Sequence, residues 1–68
     1  MKNNLKALRS KFDFTQQDIA DYIGISKTTY QYKEAGEKQF KVNEAKKISE
    51  LFNMTIDDIF FGEQVIFK

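Results

Sequence analysis

Residues 16–34, QQDIADYIGISKTTYQYKE, leave this chain few ways to fold. Gln16 to Ile23 reads as one short helix. Gly24 stands where that helix must stop, and glycine adopts the left-handed conformation that ends a helix without steric cost. Ser26 offers an N-cap hydroxyl for a second helix running to about Glu34. Ile19, Ile23 and Ile25 are apolar around the corner, and Ala20 is small where the second helix must cross the first. The stretch predicts two short helices joined at a tight corner.

The same punctuation occurs three times. An apolar residue precedes a Ser or Thr, and another apolar residue follows four positions after the hydroxyl: Phe14-Thr15 with Ile19, Ile25-Ser26 with Tyr30, and Met54-Thr55 with Ile59. This is the hydrophobic staple around an N-cap. Asp18 and Asp58 fall at the third helical position, where a carboxylate reaches back to the cap or favours the positive helix end. Upstream, Leu5, Leu8 and Phe12 form an apolar stripe that predicts a helix over 3–12 with all three in the core. Lys2, Lys6 and Arg9 lie off that stripe, open to solvent or to a phosphate. Downstream, 35–41 is a loop in which Gly36 ends the second helix and Phe40 anchors into the core. Val42, Ala45, Ile48, Leu51 and Phe52 predict a helix over 42–52, with a weak start because Lys41 is a poor cap. Ile56, Ile59 and Phe60 face inward on a short helix over about 56–61.

The expected architecture is therefore all-α, a compact five-helix bundle in one domain, 1–61, followed by a short tail, 62–68. The corner resembles the helix-turn-helix of the phage repressor and Cro (XRE-like) family. Gln16 opens the motif, Ala20 is its crossing residue, Gly24 its turn glycine, Ile25-Ser26 its turn exit, and Glu34-Ala35-Gly36 its closing Glu-x-Gly. KKISELFNMTIDDIFF resembles the last two helices of the same family, so the resemblance covers about 3–61. Tyr30 stands where a β-branched aliphatic is usual, and Lys33 where a large apolar residue is usual.

The resemblance implies that the second helix lies in the DNA major groove while the first braces it across the backbone. In that setting Lys27, Thr28, Gln31 and Tyr32 are the candidate base-reading residues. Lysine donates to guanine, glutamine pairs with adenine, and a threonine methyl packs on thymine. On residue type alone an ordinary polar face is the better reading, and it is the helix-turn-helix resemblance that reverses it. Gln16, at a helix start that attracts anions, together with Gln17, Ser26, Thr29, Lys38 and Lys41, is the candidate backbone-contacting set. The implied function is a sequence-specific regulator of transcription, a small bacterial or phage repressor binding a palindromic operator in double-stranded DNA as a homodimer. The alternative is an antitoxin-type or related module whose main partner is a protein.

Composition narrows the field from the other side. The chain has 68 residues and buries only about 60% of its unfolded surface on folding. It contains no cysteine and no histidine, which removes disulfides, thiolate metal sites and the commonest general base. Asp57 and Asp58 are adjacent on a helix and point in different directions, so they read as first-turn charges rather than a catalytic pair. No enzyme, cofactor, metal or small-molecule ligand is expected. No apolar run approaches the roughly 18 residues of a membrane span, and a cytoplasmic location is expected. Net charge is +1. Its distribution is uneven, with basic residues concentrated in 1–11 and 26–47 and acidic ones in 12–25 and 48–68, as suits one basic and one acidic face. The tail EQVIFK alternates weakly. It admits three readings: a strand pairing with its twin in a homodimer through Val65, Ile66 and Phe67, side chains folded back onto the core, or a lead into a further domain.

Overall fold

A computed structural model describes residues 4–60 of the chain. They form five helices, α1 (Leu5–Phe12), α2 (Gln16–Ile23), α3 (Lys27–Glu34), α4 (Val42–Phe52) and α5 (Ile56–Phe60). No strand occurs among the described residues. The proposed pairing strand at Val65, Ile66 and Phe67 lies outside them.

Local chemistry sets the boundaries. Thr15 Oγ1 accepts from the Asp18 N–H at 3.0 Å, and Asp18 Oδ2 accepts from the Thr15 N–H at 2.9 Å, a reciprocal capping box that starts α2. Ser26 Oγ accepts from the Thr29 N–H at the head of α3, and Thr55 Oγ1 from the Asp58 N–H at the head of α5. All three hydroxyl-capped starts are observed. α4 begins without a cap hydroxyl. There Glu44 Oε1 accepts the Lys41 N–H at 2.9 Å, so the acid three residues into the helix ties down its entry. Gly24 ends α2 at φ +84°, while the Ala20 carbonyl accepts both the Gly24 and Ile25 N–H groups. α1 and α4 end on Asp13 and Asn53, both with positive φ, residue types that tolerate this region better than most.

One core joins all five helices: Leu5 from α1, Ile19, Ala20 and Ile23 from α2, Tyr30 from α3, Ala45, Ile48 and Phe52 from α4, and Ile59 and Phe60 from α5. Burying each large aliphatic side chain stabilises the fold by about 1.5–3 kcal/mol. Phe40 bridges from the loop, its ring 6.1 Å from Tyr30 and 5.2 Å from Phe60. The open end of α1 is fastened to α5: Asn4 donates its N–H to the Ile59 carbonyl and its Nδ2 to the Asp58 carbonyl, both at 2.9 Å.

Two residues of the expected core are on the surface. Phe12 is 47% exposed, because α1 ends there and its ring leans on the rim of the core against Phe52, at 5.5 Å. Val42 is 77% exposed at the first position of α4, and Glu44 takes the inward place instead. Ala45, Ile48 and Phe52 hold the rest of that stripe as expected.

Candidate nucleic-acid interface

The face of α3 divides cleanly. Tyr30 and Lys33 point inward and are buried, and Glu34 is enclosed by side chains of α1 and α2. Lys27, Thr28, Gln31 and Tyr32 are all exposed, as expected of the four candidate base-reading residues. Tyr32 is flanked by Lys38 from the following loop, whose ammonium lies 5.7 Å from the ring centroid. Phenol and cation thus form one edge of this surface.

The candidate backbone-contacting residues fall into groups. Gln16 is half-buried at the start of α2, and its Oε1 accepts from Gln31 Nε2 at 3.0 Å. This bond joins a candidate backbone residue to a candidate base-reading one. Ser26 Oγ donates to Thr29 Oγ1 at 2.9 Å, which places both hydroxyls together at the head of α3. Gln17 donates instead to Asp21 along α2 at 2.8 Å. Lys41 is exposed at the far end of the loop, at the α4 N-cap.

Behind this surface are two charged clusters whose pairings periodicity does not reveal. The Glu34 carboxylate takes four donors. Oε2 accepts from Arg9 Nε at 2.6 Å and from the Tyr30 hydroxyl at 2.8 Å. Oε1 accepts from Arg9 Nη2 and from Gln16 Nε2, each at 3.0 Å. Arg9 Nη1 also donates to the Phe14 carbonyl. Arg9 therefore does not stand free for a phosphate: it makes a bidentate clamp from α1 onto the end of the exposed helix. The second cluster is Lys33–Glu44, 2.6 Å apart, with side chains only 8% and 6% exposed. It keys α3 to α4 at the position where an apolar residue is usual. A sequence signal for it existed, since opposite charges occupy inward positions of two successive helices, Lys33 three residues after Tyr30 and Glu44 four before Ile48.

These bonds set the ionisation of the site. Burial acts to raise the Glu34 carboxyl, but the bonds from Arg9, Gln16 and Tyr30 outweigh it and hold the pKa below the ordinary carboxylate value. Burial likewise acts to raise Glu44, and the bonds from Lys33 and the Lys41 N–H outweigh it. Burial, then the bond to Glu34, pushes the Tyr30 phenol up. The bond to Glu34 outweighs burial at Arg9 and raises its guanidinium.

Both carboxylates have lower pKa values folded than unfolded. The stability they contribute is therefore complete above the unfolded carboxylate range, about pH 4–5, and is lost as pH falls through the folded values. Thermal melts should show a midpoint that is flat from about pH 7 to 5 and drops steadily below about pH 4, with a shallower drop in Glu34→Gln. An equally steep drop in that variant would move the acid sensitivity elsewhere.

Comparison with known proteins agrees with this geometry. The family model described as helix-turn-helix matches residues 5–59. The chain is 33% identical, over its whole length and 97% of the relative's, to an HTH-type transcriptional regulator of Archaeoglobus fulgidus. It is 38% identical to another from Methanocaldococcus jannaschii, over 93% of the chain and 96% of the relative. A third, from Bacillus subtilis, is 31% identical over 94% of the chain and 97% of the relative. In fold it is similar to a transcriptional regulator from Listeria innocua, with a TM-score of 0.80 and 19% identity over 88% of this chain and 60% of that one. The chain belongs to the helix-turn-helix family of transcriptional regulators, a family of DNA-binding proteins rather than enzymes.

Proposed function

We propose that this protein is a sequence-specific repressor that binds a palindromic operator in double-stranded DNA as a homodimer. The observation that carries the reading is the row Lys27, Thr28, Gln31 and Tyr32, exposed on a helix whose opposite side is fixed by Tyr30, Lys33 and Glu34. A rigid helix presenting amide, hydroxyl and ammonium groups suits base edges in a major groove. Gln16, Gln17, Ser26, Thr29, Lys38 and Lys41 supply donors for flanking phosphates. One copy reads few base pairs, and two copies read half-sites about 34 Å apart. The bound dimer then blocks polymerase sterically.

The test is a titration against the DNA immediately upstream of the protein's own gene, beside a shuffled duplex, at several salt concentrations. With about six to eight phosphates contacted per dimer, log affinity should fall with log salt at a slope near −5 to −7. Preference for the upstream duplex should be lost in Gln31→Ala or Thr28→Ala. Sedimentation of the complex should give two protein chains per site. Salt-sensitive binding without preference would move the operator elsewhere. No binding to either duplex at moderate salt would overturn the reading in favour of a protein partner.

A further inference from the structure

The Glu34 carboxylate can only accept hydrogen bonds, and each of its oxygens already takes two. That fixes the sense of everything attached to it. Gln16 must turn its NH2 towards Glu34, and so turns its Oε1 away. Gln31 must then present its own NH2 to Gln16. The polarity of an exposed amide on α3 is thus dictated, through one intermediate side chain, by an anion behind the helix. One N–H of Gln16 stays available beyond Glu34, and one N–H and the Oε1 of Gln31 stay available beyond Gln16.

We propose that Glu34 is a positioning residue for base recognition: through Gln16 it sets the donor–acceptor order that Gln31 shows to the groove, and hence which strand's adenine Gln31 reads. This rests on the DNA-binding function proposed above. In the major groove adenine offers N7 as acceptor and its N6 amino group as donor, side by side. An A·T pair and a T·A pair show these two groups in opposite order across the groove. A glutamine free to turn end for end matches either. A glutamine held with its NH2 on the Gln16 side matches one. Binding makes this order decisive, because it removes the water that would otherwise satisfy an inverted amide.

The test selects binders from duplexes carrying a randomised central tract, then measures affinity for the selected duplex and for one with the Gln31-dependent A·T pair inverted to T·A. The wild-type protein should favour one orientation roughly tenfold, and Gln31→Ala should erase that ratio. Gln16→Met cuts the relay while leaving Arg9–Glu34 intact, and should bring the ratio close to one. Glu34→Gln, whose amide can donate or accept, should do the same. Gln16→Lys gives Glu34 a donor and offers a donor to Gln31 Oε1, so its ratio should invert, a result that loss of fold or of general affinity cannot produce. Melting curves of each variant report folding separately. Folded Gln16→Met with the full wild-type ratio would overturn the inference and leave the DNA-binding function standing. Failure of the wild-type protein itself to enrich any sequence would overturn both, and is distinguished because no variant is needed to see it.

Discussion

Glu34→Ala should lower the unfolding free energy by about 3–5 kcal/mol, measured by urea denaturation with the slope unchanged. Against a total of about 5–15 kcal/mol for a small domain, that is a large fraction of the whole. The cost comes less from the attraction that disappears than from the partners left behind. Arg9, with a side chain only 15% exposed, would keep its charge beside the neutral Phe14 carbonyl, with no carboxylate to balance it. Tyr30, fully buried, would lose the acceptor for its hydroxyl. Gln16 would lose the acceptor that orients its amide. At about 4–8 °C per kcal/mol for a domain of this size, the melting midpoint should fall by more than about 12 °C. A loss under about 1 kcal/mol would mean that water enters and takes over the role of the carboxylate.

The second large effect concerns the buried pair between α3 and α4. Lys33→Met should cost about 3 kcal/mol, because Glu44 would remain charged and enclosed, held by the Lys41 N–H but without the ammonium that balances it. Adding Glu44→Gln should recover most of that loss. Glutamine removes the stranded charge and can still accept the Lys41 N–H, and methionine fits beside the Phe40 ring, which the Lys33 ammonium approaches at 5.9 Å. The pair is therefore expected to be far worse half-removed than wholly removed. If the double variant were as unstable as the single one, the ion pair itself would be a net stabiliser, and the apolar residue usual at this place would not suit this core.

The helix boundaries were legible in the sequence because they are written in local chemistry. Cap hydroxyls at Thr15, Ser26 and Thr55 and the glycine at 24 act within a few residues, so α2, α3 and α5 start at Gln16, Lys27 and Ile56, and α2 stops at Ile23, as expected. Most of the core followed from spacing. Phe12 and Val42 did not, because periodicity gives a direction around a helix but not whether a neighbour reaches its last or first turn. Among site residues, the exposure of Lys27, Thr28, Gln31 and Tyr32 was readable from the apolar side opposite them. What bonds behind them was not. Arg9 to Glu34 spans 25 positions and Lys33 to Glu44 spans 11, and a charged residue on a helix has many possible partners at such separations. Tyr30 and Lys33 looked like departures from a family pattern. In the structure they are the residues through which two carboxylates are held.

The way α3 is held bears on how proteins of this kind could diversify. Its inward side is keyed to three other helices, by ion pairs to Arg9 on α1 and Glu44 on α4 and by a hydrogen bond from Gln16 on α2. Lifted into a relative with an apolar residue facing Lys33, this segment would bring an unbalanced ammonium and an unbalanced carboxylate into its host's interior. It is not a cassette. Changes to α3 are confined to point changes at its four exposed positions, or require transplanting it together with its three anchors.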